Sequence, residues 1–284
     1  MNTNDLKIFE AVAAHGSFTR AAELTNTVQS NVTARIKSLE DEFGMHLLTR
    51  TSRRVELTAA GKKLLQYSKQ IGRLIEAAKQ DITKADQVIG QLHIGCIETT
   101  VVLKIPGIIN HFTDHYPDVE LEFTAGLTST MVNDVLNYRL DAAFVPAPIA
   151  SPELAQRVVK EDRLVIVTAK KGPGLEALLA RTPVKIIVFD QGCSFRARLE
   201  SWLSSKGVTN YKCTILNTME GIINFVEAGI GITILAEDVI RQFYPKRKLT
   251  TYPIHSEVGT MTTVLVYRKE EPMGKALKAF VEMY

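Results

Sequence analysis

The run QSNVTARIK, residues 29 to 37, places four short hydrogen-bonding side chains, Gln29, Ser30, Asn31 and Thr33, before two bases, Arg35 and Lys37. A glutamine amide can pair with two edge atoms of adenine, and hydroxyls and amides can bond either bases or phosphates. A second group follows at once. Between Gly44 and Lys63 the bases are Arg50, Arg53, Arg54, Lys62 and Lys63, against the single acid Glu56. On a chain whose formal net charge is only +3, a local basic patch is an electrostatic footprint for phosphate. Standing alone, the same patch would serve equally as a solvated charged face.

Other residue types carry less. No P-loop, nucleophile elbow or dinucleotide glycine fingerprint occurs, and AGIGITIL reads as a turn into a buried strand, so no enzyme is expected. His111 and His115 are four apart in NHFTDHYPD, a spacing that could share a metal, but no third ligand is nearby. His115 suits the C-terminus of a helix on dipole grounds. No resident metal or cofactor is expected. Cys96, Cys193 and Cys213 show neither metal nor disulfide-framework spacing, which fits a reducing compartment. Cys193 stands near a helix start and close in sequence to Arg196, a setting that lowers a thiol pKa. Cys213, twenty residues on in a strand-like segment, makes a poor resolving partner.

The elements that must hold these groups follow from periodicity. Leu6, Phe9 and Ala13 give a first amphipathic helix that Gly16 can end, and Ser17 can cap a second through Leu24. In the third, Val32, Ile36, Leu39 and Phe43 recur at steps of four, three and four, the stripe of a helix packed on a core. MHLLTRTSRRVELT alternates apolar and polar residues around a basic tip, as a two-stranded ribbon does. From Thr58 to Ile89, Leu64, Ile71, Ile75, Ala78, Ile82, Ala85 and Ile89 sit at steps of seven, four, three, four, three and four, with Ser68 in the missing place. That 3.5-residue period predicts a long helix with a dimerisation seam. After Gly90, QLHIGCI, VELEFTA, DAAFV, RLVIVTA, VKIIVFD, YKCTIL, ITILA and GTMTTVLVY read as strands. Helical stretches such as Leu103 to His115, Met131 to Tyr138 and Phe195 to Lys206 lie between them. The last helix carries Ala276, Leu277 and Phe280. This alternation predicts an α/β fold with parallel sheets behind an all-α-plus-wing N-terminal domain.

Two short helices, a helix with a polar tip and an arginine-bearing ribbon form a winged helix-turn-helix. In it Gln29, Ser30, Asn31, Thr33, Arg35 and Lys37 would meet base edges or phosphates, with Arg35 at the edge of that face. Arg50, Arg53 and Arg54 would lie over the backbone or in the minor groove. A solute-binding protein would account for residues 90 to 284 but not for this tip.

GSFTRAAELTNTVQSNVTARIKSLEDEFGMHLLTRTSRRVELTAAGKKLL and the later HFTDHYPDVEL resemble LysR-type transcriptional regulators over the whole chain. The resemblance implies a DNA-binding domain at 1–57, a linker and dimerisation helix at 58–89, and a two-lobed effector domain at 90–284 like that of periplasmic binding proteins. Lobe I would comprise 90–162 and 267–284, lobe II 163–266. It implies double-stranded promoter DNA, a second copy of the chain in a dimer or tetramer, and a small effector as partners, and admits RNA polymerase. The dimer seam would use Leu64, Ile71, Ile75, Ala78 and Ile82. The effector would meet Cys96, Glu98, Thr99, Thr100, Thr128 and Ser129 from one lobe and Gly192, Cys193, Ser194 and Thr218 from the other. Hydroxyls and helix-start N–H groups suit an anion; Glu98 would pair with Arg196 or with an amino group on the ligand. The peroxide-sensing branch places its cysteine where Ser194 stands, so redox sensing by Cys193 is the alternative. Three positions depart from the family pattern: Thr25 stands where leucine is usual, Leu48 where an aromatic often precedes the wing, and Val28 where serine usually caps the third helix, which leaves capping to Thr27. No signal peptide is evident and no apolar run approaches the roughly 20 residues needed to cross a bilayer. A cytoplasmic location without a membrane partner is expected.

Overall fold

The computed structural model describes residues 1–50, 55–83, 87–97, 105–255, 257–269 and 273–284, with backbone alone at positions 50, 80, 81, 105 and 106. The chain divides into two units, Met1–Gln87 and Val88–Tyr284. Among the described residues no helix is long and apolar enough to cross a membrane.

In the first unit, helix α1 (Thr3–His15) starts in a capping box. The Asn2 side chain accepts from the N–H groups of Asn4 and Asp5, and Asp5 accepts from the Asn2 N–H. Gly16 ends it at φ +60°, a conformation that favours glycine. Ser17 caps α2 (Phe18–Leu24) by accepting from the Arg20 N–H. Helix α3 spans Gln29–Phe43. Strands β1 (Leu48–Arg50) and β2 (Val55–Leu57) pair antiparallel, with Leu48 opposite Leu57. Helix α4 (Ala59–Thr83) follows. Leu6, Phe9 and Val12 of α1, Phe18 of α2, Leu47 and Leu48 of the ribbon and Val32, Ile36 and Leu39 of α3 form one core. The α3 stripe stops at Leu39, since Phe43 is exposed.

The expected dimerisation seam splits in two. Leu64, only 8% exposed, belongs to the core of its own unit, and Ile71 packs partly against that core. Ser68 is buried and donates a short hydrogen bond to the Glu10 carboxylate of α1. The first turns of α4 therefore lie on α1, and Leu64 and Ile71 are internal packing residues. Ile75 is half-buried and Ala78 exposed, while Ile82 is 82% exposed. Positions 87–89 carry no helix, and Ala85 lies outside the described residues.

The second unit alternates strand and helix as expected, but its main sheet is mixed and not parallel, since β6 and β11 run antiparallel to their neighbours. In order come β3 (Gly90–Cys96), α5 (Ile105–His115), β4 (Val119–Ala125), α6 (Thr128–Leu136), β5 (Ala142–Pro146), β6 (Leu154–Ala169), α7 (Leu175–Leu179) and β7 (Val184–Val188). Then come α8 (Ser194–Ser205), β8 (Tyr211–Ile215), α9 (Met219–Glu227), β9 (Thr233–Ala236), α10 (Glu237–Phe243), β10 (Leu249–Pro253), β11 (Thr260–Arg268) and α11 (Lys275–Glu282). The main sheet runs β10-β6-β11-β5-β3-β4, with β9 also on β6; β7 and β8 form a parallel pair.

Strand β6 serves both lobes. Leu154 to Arg163 pairs with β11, and Leu164 to Ala169 pairs with β9 and β10. Three apolar clusters result: lobe I has one around Phe112, Phe144 and Phe280 and one around Met131, Val135 and Val145, and lobe II has one around Ile186, Leu199 and Ile223. The return to lobe I comes earlier than 266–267: β11 pairs with β6 from Thr260 and with β5 from Thr263, so that division falls inside one continuous strand.

The close approach of α4 to the ribbon fixes one residue type. A Cβ on Gly61 would fall 2.0 Å from the Leu47 carbonyl oxygen. Alanine would favour the helix by about 1 kcal/mol, but the displaced backbone outweighs this. Gly61→Ala is expected to destabilise the N-terminal unit by roughly 1–3 kcal/mol net, read as a lowered denaturation midpoint; a stabilised variant would show that the two segments separate freely.

Candidate nucleic-acid interface and effector cavity

Burial of Val32, Ile36 and Leu39 turns the opposite face of α3 outward. Gln29, Ser30, Ala34 and Lys37 are exposed there, while Asn31 and Thr33 are half-buried. Gln29 Oε1 accepts from Thr19 Oγ1 at 3.2 Å, which tethers its amide across from α2. Thr33 Oγ1 donates to the Gln29 carbonyl at 3.0 Å, and Asn31 Nδ2 donates to Thr27 Oγ1 at 2.8 Å. Thr27 therefore does not cap the helix. Val28 is the N-cap residue and provides no side-chain cap. The carboxylate of Glu40 accepts from the Leu47 and Leu48 N–H groups at 2.8 and 3.2 Å, joining the far end of α3 to the base of the ribbon.

Arg35 takes another role than expected. Its Nη1 lies 3.1 Å from Oδ1 of Asp5, the buried carboxylate of the α1 capping box. It is placed as a fold-bracing ion pair because its position flanks the buried stripe. Lys37 stays on the exposed face. The Arg50 side chain and the whole of Arg53 and Arg54 lie outside the described residues.

The second unit holds a cavity of about 610 Å³. Ile97, Leu127, Pro146, Phe189 and Phe195 give it apolar walls, and Thr128, Asp190, Cys193, Ser194 and Asn217 provide polar atoms. It sits where the starts of α6 and α8 approach: Thr128 Oγ1 is 3.4 Å from Ser194 Oγ. Gly192 has φ +91°, and a Cβ there would meet Ser129 Oγ at 3.3 Å, so this loop needs glycine for both conformation and space. Neither helix start, at Leu127 or Cys193, receives a side-chain cap.

Of the expected effector residues, Thr128, Cys193 and Ser194 line the cavity, and Ser129 and Gly192 abut behind it. Two do not belong. Cys96 is fully buried in the lobe I core, where its Sγ donates to the Thr124 carbonyl at 3.5 Å. Desolvation pushes its thiol up to about 11. The residue facing the cavity is the next one, Ile97, because successive side chains along a strand alternate. Thr218 caps α9, accepting from the Gly221 N–H at 3.2 Å, and its neighbour Asn217 lines the cavity instead. Glu98, Thr99 and Thr100 lie outside the described residues. Arg196 pairs through Nε with Glu200 at 2.9 Å, and its Nη2 is 3.9 Å from Cys213 Sγ. Phe189, Asp190 and Phe195 bracket the GCS triplet in sequence; their aromatic spacing was the available signal, and packing residues give the same one. His115 Nδ1 contacts the His111 carbonyl at 2.8 Å, and among the described residues no three potential ligands gather for a metal.

Comparison with known proteins identifies both units. Residues 3–62 match the model of the bacterial regulatory helix-turn-helix protein, lysR family, and residues 85–284 that of the LysR substrate binding domain. The chain belongs to the LysR family of transcriptional regulators. It is 35% identical over 284 residues to the uncharacterized HTH-type transcriptional regulator YusT of Bacillus subtilis, covering 100% of this chain and 95% of YusT. It is 36% identical over 282 residues to the HTH-type transcriptional regulator CzcR of Bacillus cereus, covering 99% of this chain and 96% of CzcR. These relatives are named as regulators, not as enzymes. Among solved structures, a variant of full-length OxyR from Pseudomonas aeruginosa superposes with a TM-score of 0.77 at 18% identity, covering 99% of this chain and 94% of that one. CbnR in complex with its target DNA gives 0.68 at 22%, covering 99% and 98%. The fold is thus that of full-length LysR regulators, a DNA-binding helix-turn-helix domain joined to an effector-binding domain.

The Asp5–Arg35 pair separates bracing from DNA contact in this regulator. Arg35→Ala is expected to cost about 1 kcal/mol of folding stability while leaving the slope of log K against log salt for DNA binding unchanged. A slope reduced by about one unit would return Arg35 to the phosphate contacts.

Proposed function

We propose that this LysR regulator reads its operator through Gln29 and Ser30, with Lys37 and the basic ribbon on the phosphates. The carrying observation is the exposed, tethered Gln29 on a helix whose other face buries Val32, Ile36 and Leu39. Asn31 and Thr33 stand further back, each already holding an internal hydrogen bond, and act through the shape of the tip. Self-association is assigned to the outer half of α4, where Leu74, Ala78 and Ile82 are exposed. A rod with that much apolar surface in water favours a second copy, as a dimer or within a tetramer. Promoter control in the cytoplasm, with RNA polymerase as a further partner, completes this reading. No cofactor enters it.

The effector is proposed to be a small carboxylate with an apolar body, gating the regulator from the cavity. Two uncapped helix starts offer N–H groups and the positive ends of two helix dipoles to an anion, while Ile97, Leu127, Phe189 and Phe195 suit an apolar body. Asp190 disfavours a second negative charge nearby. The cysteine-based alternative keeps its position, since Cys193 lines the cavity. The Nε and Nη2 atoms of Arg196, however, are engaged by Glu200 and Cys213.

Gln29→Ala should weaken specific operator binding by roughly 1–3 kcal/mol while sparing random DNA; equal loss on both in anisotropy titrations would remove its reading role. In a thermal-shift panel on the full chain, a matching carboxylate should stabilise by about 2.7 kcal/mol at a hundredfold excess over Kd. Its primary amide should not, and equal stabilisation by the amide would exclude an anion site.

A further inference from the structure

We propose that Val28 is a base-reading residue, one that packs against the C5 methyl of a thymine in the operator. The inference rests on the DNA-reading face assigned above and adds to it a contact of opposite chemistry. Val28 is 64% exposed and immediately precedes Gln29, at the tip of the helix that meets the groove. It occupies the N-cap with extended backbone, φ −99° and ψ 151°, where valine is among the least favoured residues because it offers no acceptor to the first-turn N–H groups. The neighbouring hydroxyl that could compensate does not, since Thr27 Oγ1 accepts from the Asn31 amide. A position at which local helix chemistry is given up, on an exposed functional tip, points to a role outside the helix.

That role is defined by what valine can recognise. In the major groove the thymine methyl is the apolar landmark among donors and acceptors, and Gln29 and Ser30 cannot exploit it. Val28 is also held firmly enough to discriminate. Its carbonyl accepts from the Asn31 and Val32 N–H groups at 3.0 and 3.2 Å, fixing its backbone to the first turn, and a β-branched side chain is stiff at χ1.

The test uses the full-length regulator on an operator located by footprinting, with each thymine of the half-site replaced in turn by deoxyuridine, which removes only the methyl. In anisotropy titrations at fixed salt, wild type should lose roughly three- to tenfold in affinity at one such position. Val28→Ser, which restores a side-chain cap and so keeps the fold, should bind the thymine and deoxyuridine duplexes alike. Gln29→Ala should keep the discrimination. The proposal is overturned if no deoxyuridine weakens wild type, or if Val28→Ser discriminates as wild type does. Wild type that prefers its operator but ignores methyl groups removes Val28 alone, whereas wild type that binds every duplex equally removes the DNA-reading face and Val28 with it.

Discussion

Val32, Ile36 and Leu39 are each no more than 1% exposed, and the chemistry of the N-terminal unit depends on their burial. Removing three such side chains from water contributes about 1.5–3 kcal/mol apiece, enough to fix the rotation of α3 about its axis. With rotation fixed, Gln29, Ser30 and Lys37 have no choice but to face outward. Three polar contacts then set the remaining degrees of freedom. Asp5–Arg35 ties α3 to the cap of α1, Thr19 holds the Gln29 amide, and Glu40 joins the far end of α3 to Leu47 and Leu48. The apolar stripe thus supplies energy, and the polar contacts supply aim.

The second unit solves a different problem with one long strand. Because β6 pairs with β11 along its first part and with β9 and β10 along its second, the two lobes share a continuous backbone while their cores remain separately packed. The backbone passes between the lobes twice, along β6 near Arg163 and along β11 near Thr260, and these paired segments form the crossing between them. The cavity is made by loops from both sides of that crossing, Ala125 to Thr128 on one and Phe189 to Phe195 on the other. A ligand there touches both lobes at once, which is the condition for a ligand to bias their arrangement.

Much of this was legible because apolar periodicity and turn residues are strong local signals. VELEFTA forms β4 from first residue to last, and Ser17 and Gly16 cap and end helices as their types require. The failures share a cause, which is that one-dimensional patterns do not say what an apolar or charged residue faces. Leu64 fits a coiled-coil seam and an internal packing face equally well, and contact with α1 decided between them. Arg35 stood at the edge of the DNA-facing side of α3 by sequence, but Asp5, thirty residues away, pairs with it. Cys96 and Ile97 differ by one step of strand alternation, which no composition reveals. The first half of β6, rich in charge as LAQRVVKED, lacked the continuous apolar signal because its pairing with β11 leaves much of it half-solvated.

Capping gives the clearest view of where stability yields to function. Asn2, Ser17 and Thr218 cap their helices with side-chain oxygens; the first two belong to the unit that does not hold the cavity, whereas Thr218 directly follows the cavity-lining Asn217. Val28, Leu127 and Cys193 leave theirs uncapped. An uncapped start is not diagnostic by itself, for α7, α10 and α11 also begin without one, at Gly174, Ala236 and Gly274. Glycine, however, is a tolerated N-cap, which accounts for α7 and α11 but not for Ala236 before α10. Valine and leucine at the starts of longer helices lack that excuse. Their first-turn N–H groups stay without a side-chain partner where a phosphate, a base or a carboxylate could complete them. The starts of α3, α6 and α8 are therefore incomplete in the same chemical sense, and a ligand that supplied the missing acceptor at any of them would contribute to stability and to recognition through one set of hydrogen bonds.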